Sequence, residues 1–249
     1  MAVLVLAALF VAWEVLVRAL EVKPIILPTP SSVMLEFLSD PLWYLRHGWY
    51  TLLVTLGGFG LALAIGIALA VLIVESRIME KTVYALIVAL NSVPKVAVAP
   101  LFVIWLGTGV EPKIAIGFLI AVFAIVIDAV LGLKSVPADI LDLARALRGG
   151  RLATLWRIRF PCALPSLFAG MKVAISLALV GAIVGEFVSS QRGLGYVILS
   201  AQGTFDTVRV FAAIFVLAVM GVALFWIVSV AERLAIPWHS SQKEYIPTA

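Results

Sequence analysis

A chain of 249 residues that is 63% hydrophobic and 13% charged, with a mean hydropathy of +1.16, is not a soluble domain, where about a quarter of residues are charged. The net charge of +4 comes from 18 basic and 14 acidic residues. Residues 134–165 hold six of the bases and two of the acids, so the remainder balances at 12 against 12, and a nucleic-acid-binding surface is excluded in favour of a membrane-orientation signal.

Residues 2–20 form a first apolar span containing Glu14 and Arg18, four apart and able to pair on one helix face. It has no basic leader and no small-residue cleavage site, and is expected to be a retained helix. Residues 21–50 are proline-rich and then amphipathic. Val33, Leu35, Phe37, Leu38 and Leu42 are expected along a membrane interface, with Trp43, Tyr44, Trp49 and Tyr50 at headgroup depth.

Residues 51–74 are 24 uncharged residues, long enough to cross about 30 Å of hydrocarbon. Gly57, Gly58, Gly60 and Gly66 permit close helix packing there. After a charged turn (Glu75, Arg77, Glu80, Lys81), residues 82–110 form a third span. Pro94 and Pro100 imply that it is kinked or interrupted. Residues 114–133 form a fourth span with Asp128 near its end, 166–188 a fifth and 210–231 a sixth; 189–209 is a polar, glycine-bearing re-entrant segment. Gly181-x-x-x-Gly185 in span five fits close helix contact, either within the subunit or across a dimer.

Orientation follows the basic residues. With the amino terminus inside, inner loops and tail carry Arg77, Lys81, the six loop bases, Lys172, Arg233 and Lys243, eleven in all. The outer side carries Arg18, Lys23, Arg46, Lys113, Arg192 and Arg209, six in all. Eleven against six puts both termini and the 134–165 loop in the cytoplasm. Within that loop Ile140, Leu143, Ala144 and Leu147 recur at helical spacing, and Asp142 and Arg145 can pair three apart. Pro137 and Asp139 suit the first turn, Gly149-Gly150 the stop, and a second short helix spans 151–158 before Pro161 and Pro165. Cys162, between those prolines, excludes a disulfide framework and is expected as a small buried filler.

The loop resembles the signature of ABC importer permeases, E-A-A-(x)3-G-(x)9-I-x-L-P, by which the permease docks on its ATPase. Asp142 stands for the acid, Ala144 and Arg145 follow in register, and Ile158-Arg159-Phe160-Pro161 matches the closing motif. Arg148 stands where the family has glycine, and Gly149 and Gly150 are expected to take over the turn. Residues 91–109, 163–187 and 193–207 are similar to segments of the nitrate/sulfonate/taurine subfamily.

The resemblance implies an all-α polytopic membrane protein of six transmembrane helices, with a cytoplasmic coupling helix between spans four and five. Residues 1–47 would be the first span plus a periplasmic amphipathic segment, 48–235 the permease domain and 236–249 a cytoplasmic tail. ATPase coupling would rest on Asp142, Ala144, Arg145, Arg148, Gly149, Gly150 and Arg151. The implied partners are ABC ATPase subunits, a second permease copy, a periplasmic or lipid-anchored solute-binding protein and the bacterial inner membrane. The implied cargo is a small anion of the sulfonate, taurine or nitrate class.

The sequence carries no G-x-x-x-x-G-K-[ST] motif and no catalytic or metal cluster, His47 and His239 falling in different segments. No enzyme activity and no cofactor of its own are expected, ATP and Mg residing on the ATPase. Candidate pathway residues are Asn91, Lys95, Glu186 and Ser190. The structural alternatives are neutralisation of Lys95 by Asp128 or Glu186, pairing of Glu186 with Arg192, and pairing or snorkelling of Asp128 beside Lys134. A secondary transporter or channel working without ATP is the rival reading; it leaves the form of the loop unexplained.

Overall fold

The computed structural model describes residues 2–237; His239, Lys243 and the tail beyond lie outside the described residues. These residues form helices and no strand: α1 (Ala2–Ala19), α2 (Pro30–Ser39), α3 (Pro41–Glu75), α4 (Lys95–Leu106), α5 (Glu111–Lys134), α6 (Ala138–Ala146), α7 (Arg151–Ser189), α8 (Leu194–Gly203) and α9 (Thr207–Ala235), with short helical pieces over 77–91 between α3 and α4. Among the described residues α3, α5, α7 and α9 are long and apolar enough to cross a membrane.

Local chemistry sets the boundaries. Asp40 accepts from the Trp43 amide at 3.0 Å and Pro41 occupies the first turn, so α3 starts ten residues before the uncharged run. Val33 and Tyr44, expected at an interface, are instead buried in a cluster with Leu194, Val197 and Leu217, whereas Trp49 is exposed. Glu14 pairs with Arg18 as expected and also accepts from the Ser31 hydroxyl (2.8 Å) and amide (3.0 Å), tying α1 to α2.

The expected third span is interrupted. Helix stops at Asn91 and restarts at Lys95 behind Pro94. The 12 residues of α4 rise only about 18 Å. The expected fifth span is longer than its apolar run: α7 is continuous for 39 residues and absorbs the expected short helix 151–158. A wide turn over Leu155–Arg159 resets the backbone ladder, the Phe160 amide reaching back to the Leu155 carbonyl. That widening accommodates the ring of Pro161, which would otherwise clash with the preceding turn. Cys162 faces outward on this helix and is exposed, so the filler role is not taken.

The bundle centre is the crossing of α5 with α7 and α3. A methyl group built on Gly181 would stand 2.6 Å from the Gly117 Cα, and one on Gly58 3.1 Å from the same Cα. Gly185 lies equally close to Lys113. The Gly181-x-x-x-Gly185 pattern therefore packs within the subunit, against α5. Ala121, Ala174, Ala178 and Ala182 extend the seam, each fully buried. Gly181→Leu is expected to lower stability by about 1–3 kcal/mol or more through backbone displacement, read as a clear fall in the melting temperature of the detergent-solubilised protein. Gly60→Leu, at an exposed glycine with nothing within 4 Å, is expected to leave it within a degree or two.

Candidate functional site

The two ends of α7 carry the polar chemistry. At its start stands α6, none of whose residues is buried among the described residues. Ile140, Leu143 and Leu147 are 43%, 60% and 75% exposed, so the apolar stripe read from the sequence faces outward. Asp142 and Arg145 form the expected pair beside it.

The stop of α6 differs from the expectation. The Arg148 amide donates to the Arg145 carbonyl at 3.0 Å and the Gly149 amide to the Ala144 carbonyl at 2.8 Å, a Schellman turn. The left-handed residue is Arg148 itself, with φ +54°. Gly149 and Gly150 do not take over that role. Gly149 is needed for another reason, since a Cβ there would stand 2.8 Å from the Ala144 carbonyl oxygen. Gly150 has φ −65° and leads directly into α7. The turn that ends α6 is thus made at position 148 by an arginine, at the steric cost of a left-handed non-glycine residue.

At the far end of α7, Glu186 is 1% exposed. Its Oε1 accepts from the Thr51 hydroxyl at 2.8 Å and its Oε2 from the Gly195 amide at 2.7 Å. The Leu194 amide donates to Thr51 Oγ1 at 2.9 Å and the Gly193 amide to His47 Nδ1 at 3.1 Å. Three successive amides at the start of α8 are therefore held by side chains from α3 and α7. Gly193 (φ +100°) lies so close that a Cβ would stand 2.3 Å from the Glu186 carboxyl.

This clasp replaces the expected Glu186–Arg192 pair. The carboxylate points into the bundle, satisfied by amides and a hydroxyl, while Arg192 lines a cavity of about 630 Å³ with Tyr50, Thr108, Ser190 and Gln191. Lys113, also 1% exposed, lines the same cavity and donates to the Gly109 (2.5 Å) and Thr108 (3.2 Å) carbonyls.

Lys95 and Asn91 meet across the break in the third apolar stretch, Nζ to Oδ1 at 2.6 Å. The ammonium also lies 4.5 Å from the centre of the Phe123 ring. Neither expected neutralising acid reaches it: Glu186 is in the clasp, and Asp128 lies against Gly170 on the α7 side of α5. Lys134 pairs with Glu80 at 2.5 Å, not with Asp128. Asn91 and Lys95 thus form one cluster, and Glu186 and Ser190 lie near one another at the other. Thr51, His47, Lys113 and the Gly193–Gly195 turn were not singled out from the sequence. A signal was there for Thr51, since it and Thr55 are the only polar side chains in residues 51–74.

Residues 58–236 match the family model described as the binding-protein-dependent transport system inner membrane component. The chain is 33% identical to the formylaminopyrimidine transport permease protein ThiX of Halalkalibacterium halodurans, covering 94% of each chain. It is 29% identical to the taurine transport system permease protein TauC of Escherichia coli, covering 94% of this chain and 88% of the other. Its fold is similar to a solved chain of the MetNI methionine ABC transporter in an inward-facing conformation, with TM-score 0.69 and 19% identity over 78% of this chain and 97% of that one.

Two substitutions test the geometry. Thr51→Val removes one buried donor and one buried acceptor and is expected to cost about 2–4 kcal/mol, seen as a fall in melting temperature that Thr51→Ser largely avoids. Arg148→Gly relieves a left-handed residue worth about 1 kcal/mol. Amide exchange over residues 144–150 is expected to slow about fivefold.

Proposed function

The chain belongs to the family of binding-protein-dependent inner-membrane transport components, the permeases of ABC importers, and from that premise we propose how it works. It forms, with a second copy, the pathway for a small solute, and α6 is the helix through which a separate ATPase chain moves it. One observation carries this reading: a short amphipathic helix presents Ile140, Leu143 and Leu147 outward with nothing among the described residues to cover them. An exposed apolar stripe of this kind fits a groove in a partner. Transport without ATP gives that stripe no purpose.

The proposed topology is six membrane segments, the four long helices together with α1 and the broken third stretch, in the inner membrane with both termini cytoplasmic. The excess of basic residues around α6 supports the orientation. On α4, Val96, Ile104 and Trp105 are 55%, 75% and 66% exposed, and the second copy is proposed to meet the chain there. ATP closes the ATPase dimer, and α6 carries that motion into α7. That 39-residue helix is about 58 Å long and ends at the Glu186 clasp. One rigid element therefore joins the ATPase surface to the outer end, where a solute-binding protein delivers its cargo.

We assign a small anion as cargo, with Lys95, Asn91, Ser190 and the Glu186 region along the path. Lys95 and Arg192 support it, since neither has an acidic partner among the described residues. ThiX, named for a formylaminopyrimidine, and TauC, named for taurine, mark the breadth of cargo within the family.

Leu143→Asp and the charge reversals Asp142→Lys and Arg145→Glu are expected to abolish or strongly reduce co-purification of the cognate ATPase and its stimulation; retention of both at the wild-type level would refute the docking role. Lys95→Met is expected to lower solute uptake at least tenfold with the complex still assembled. Unchanged uptake would remove Lys95 from the path.

A further inference from the structure

A basic concave space lies apart from the proposed pathway residues. A cavity of about 680 Å³ lies between the end of α3 and the α6–α7 turn, lined by Glu75, Ser76, Arg145, Arg151, Thr154 and Arg159 among others. This is within the range of small-ligand sites. Three guanidinium groups and one carboxylate line it, an excess of two positive charges.

The three arginines differ in their engagement. Arg145 is paired with Asp142. Arg151 and Arg159 form no ion pair or side-chain hydrogen bond among the described residues, although Arg159 is half-buried and Glu75 lines the same space. The start of α7 adds to the field. Its first amides have no side-chain cap, the Thr154 hydroxyl being turned to the Gly150 carbonyl. Two guanidiniums without a protein partner in one concave site can converge on a shared anion.

We propose that this cavity binds a phosphate-bearing anion, held by Arg151 and Arg159 with Arg145 at its rim. Planar, multi-donor guanidiniums match the tetrahedral oxygens of a phosphate monoester or diester. Because α6 is the ATPase-docking helix in the functional reading above, an occupant would brace α6 against the end of α3. The site itself depends on the geometry alone; only this consequence for coupling rests on that reading. The chemistry has two sources, an anionic phospholipid headgroup from the adjacent leaflet or a soluble phosphate compound. Leu152 and Trp156, 69% and 58% exposed beside the site, offer an acyl chain a surface.

The test uses the purified full-length permease in detergent, with two probes: phosphatidylglycerol followed by native mass spectrometry, and sodium pyrophosphate followed by thermal shift at constant ionic strength. The variants are Arg151→Gln/Arg159→Gln and, with the same loss of charge outside the cavity, Arg148→Gln/Arg157→Gln. Wild type and the outside pair are expected to bind, and the cavity pair to bind at least about tenfold more weakly. Arg159→Lys, which keeps the charge and loses the fork, is expected to fall between them and controls for folding. Binding of phosphatidylglycerol alone identifies a lipid site, and binding of pyrophosphate a soluble one. Equal weakening in both double variants, or no binding of either probe to the wild type, overturns the proposal. The docking role is tested separately by ATPase co-purification of Leu143→Asp, at a residue that does not line the cavity.

Discussion

The close approach of α5 to α7 and α3 is the constraint on which the rest of this structure depends. Between helices in lipid there is little hydrophobic gain from association, because lipid tails are as apolar as leucine. Contact must come from dispersion at short range and from satisfied polar groups. Gly117 against Gly181 and Gly58, with a run of buried alanines, brings three backbones nearer than side chains would allow. Once these three helices are locked, the positions of Lys113, Asp128 and Glu186 are fixed as well, since each stands on that seam.

The charges within the bundle are handled in different ways. Glu186 is satisfied by two donors and in turn organises the start of α8. Lys113 is satisfied by backbone carbonyls at the start of its own helix. Lys172 of α7 reaches Glu232 of α9, a pairing that fastens the last helix to the bundle. Lys95 has the side-chain and backbone oxygens of Asn91 and an aromatic face. Lys95 is half-buried rather than buried, and no acid reaches it among the described residues.

Much of the fold was legible because hydropathy and caps act locally. The apolar runs at 51–74, 114–133 and 210–231 each lie inside one helix, and the break at Pro94 falls where the ring removes a donor. The α6 stripe and its Asp142–Arg145 pair were also legible, being properties of one turn of helix. Boundaries were less so: Asp40-Pro41 is a start signal that the aromatic residues after it masked, and the wide turn at 155–159 let α7 run through two prolines.

By itself the sequence determined a multi-helix membrane protein, the amphipathic α6 with its apolar stripe, and the family to which the chain belongs, because these follow from periodicity and short motifs. Only the tertiary structure decided where Gly181 finds its partner, that Glu186 holds the α8 amides instead of Arg192, and that Arg148 takes the left-handed turn with Gly149 beside it. The first joins Gly117 and Gly181, far apart in the chain, and the second needs Thr51, 135 positions from Glu186, and no local pattern encodes such meetings. The third is a choice between adjacent residues that depends on which carbonyl of α6 each amide can reach.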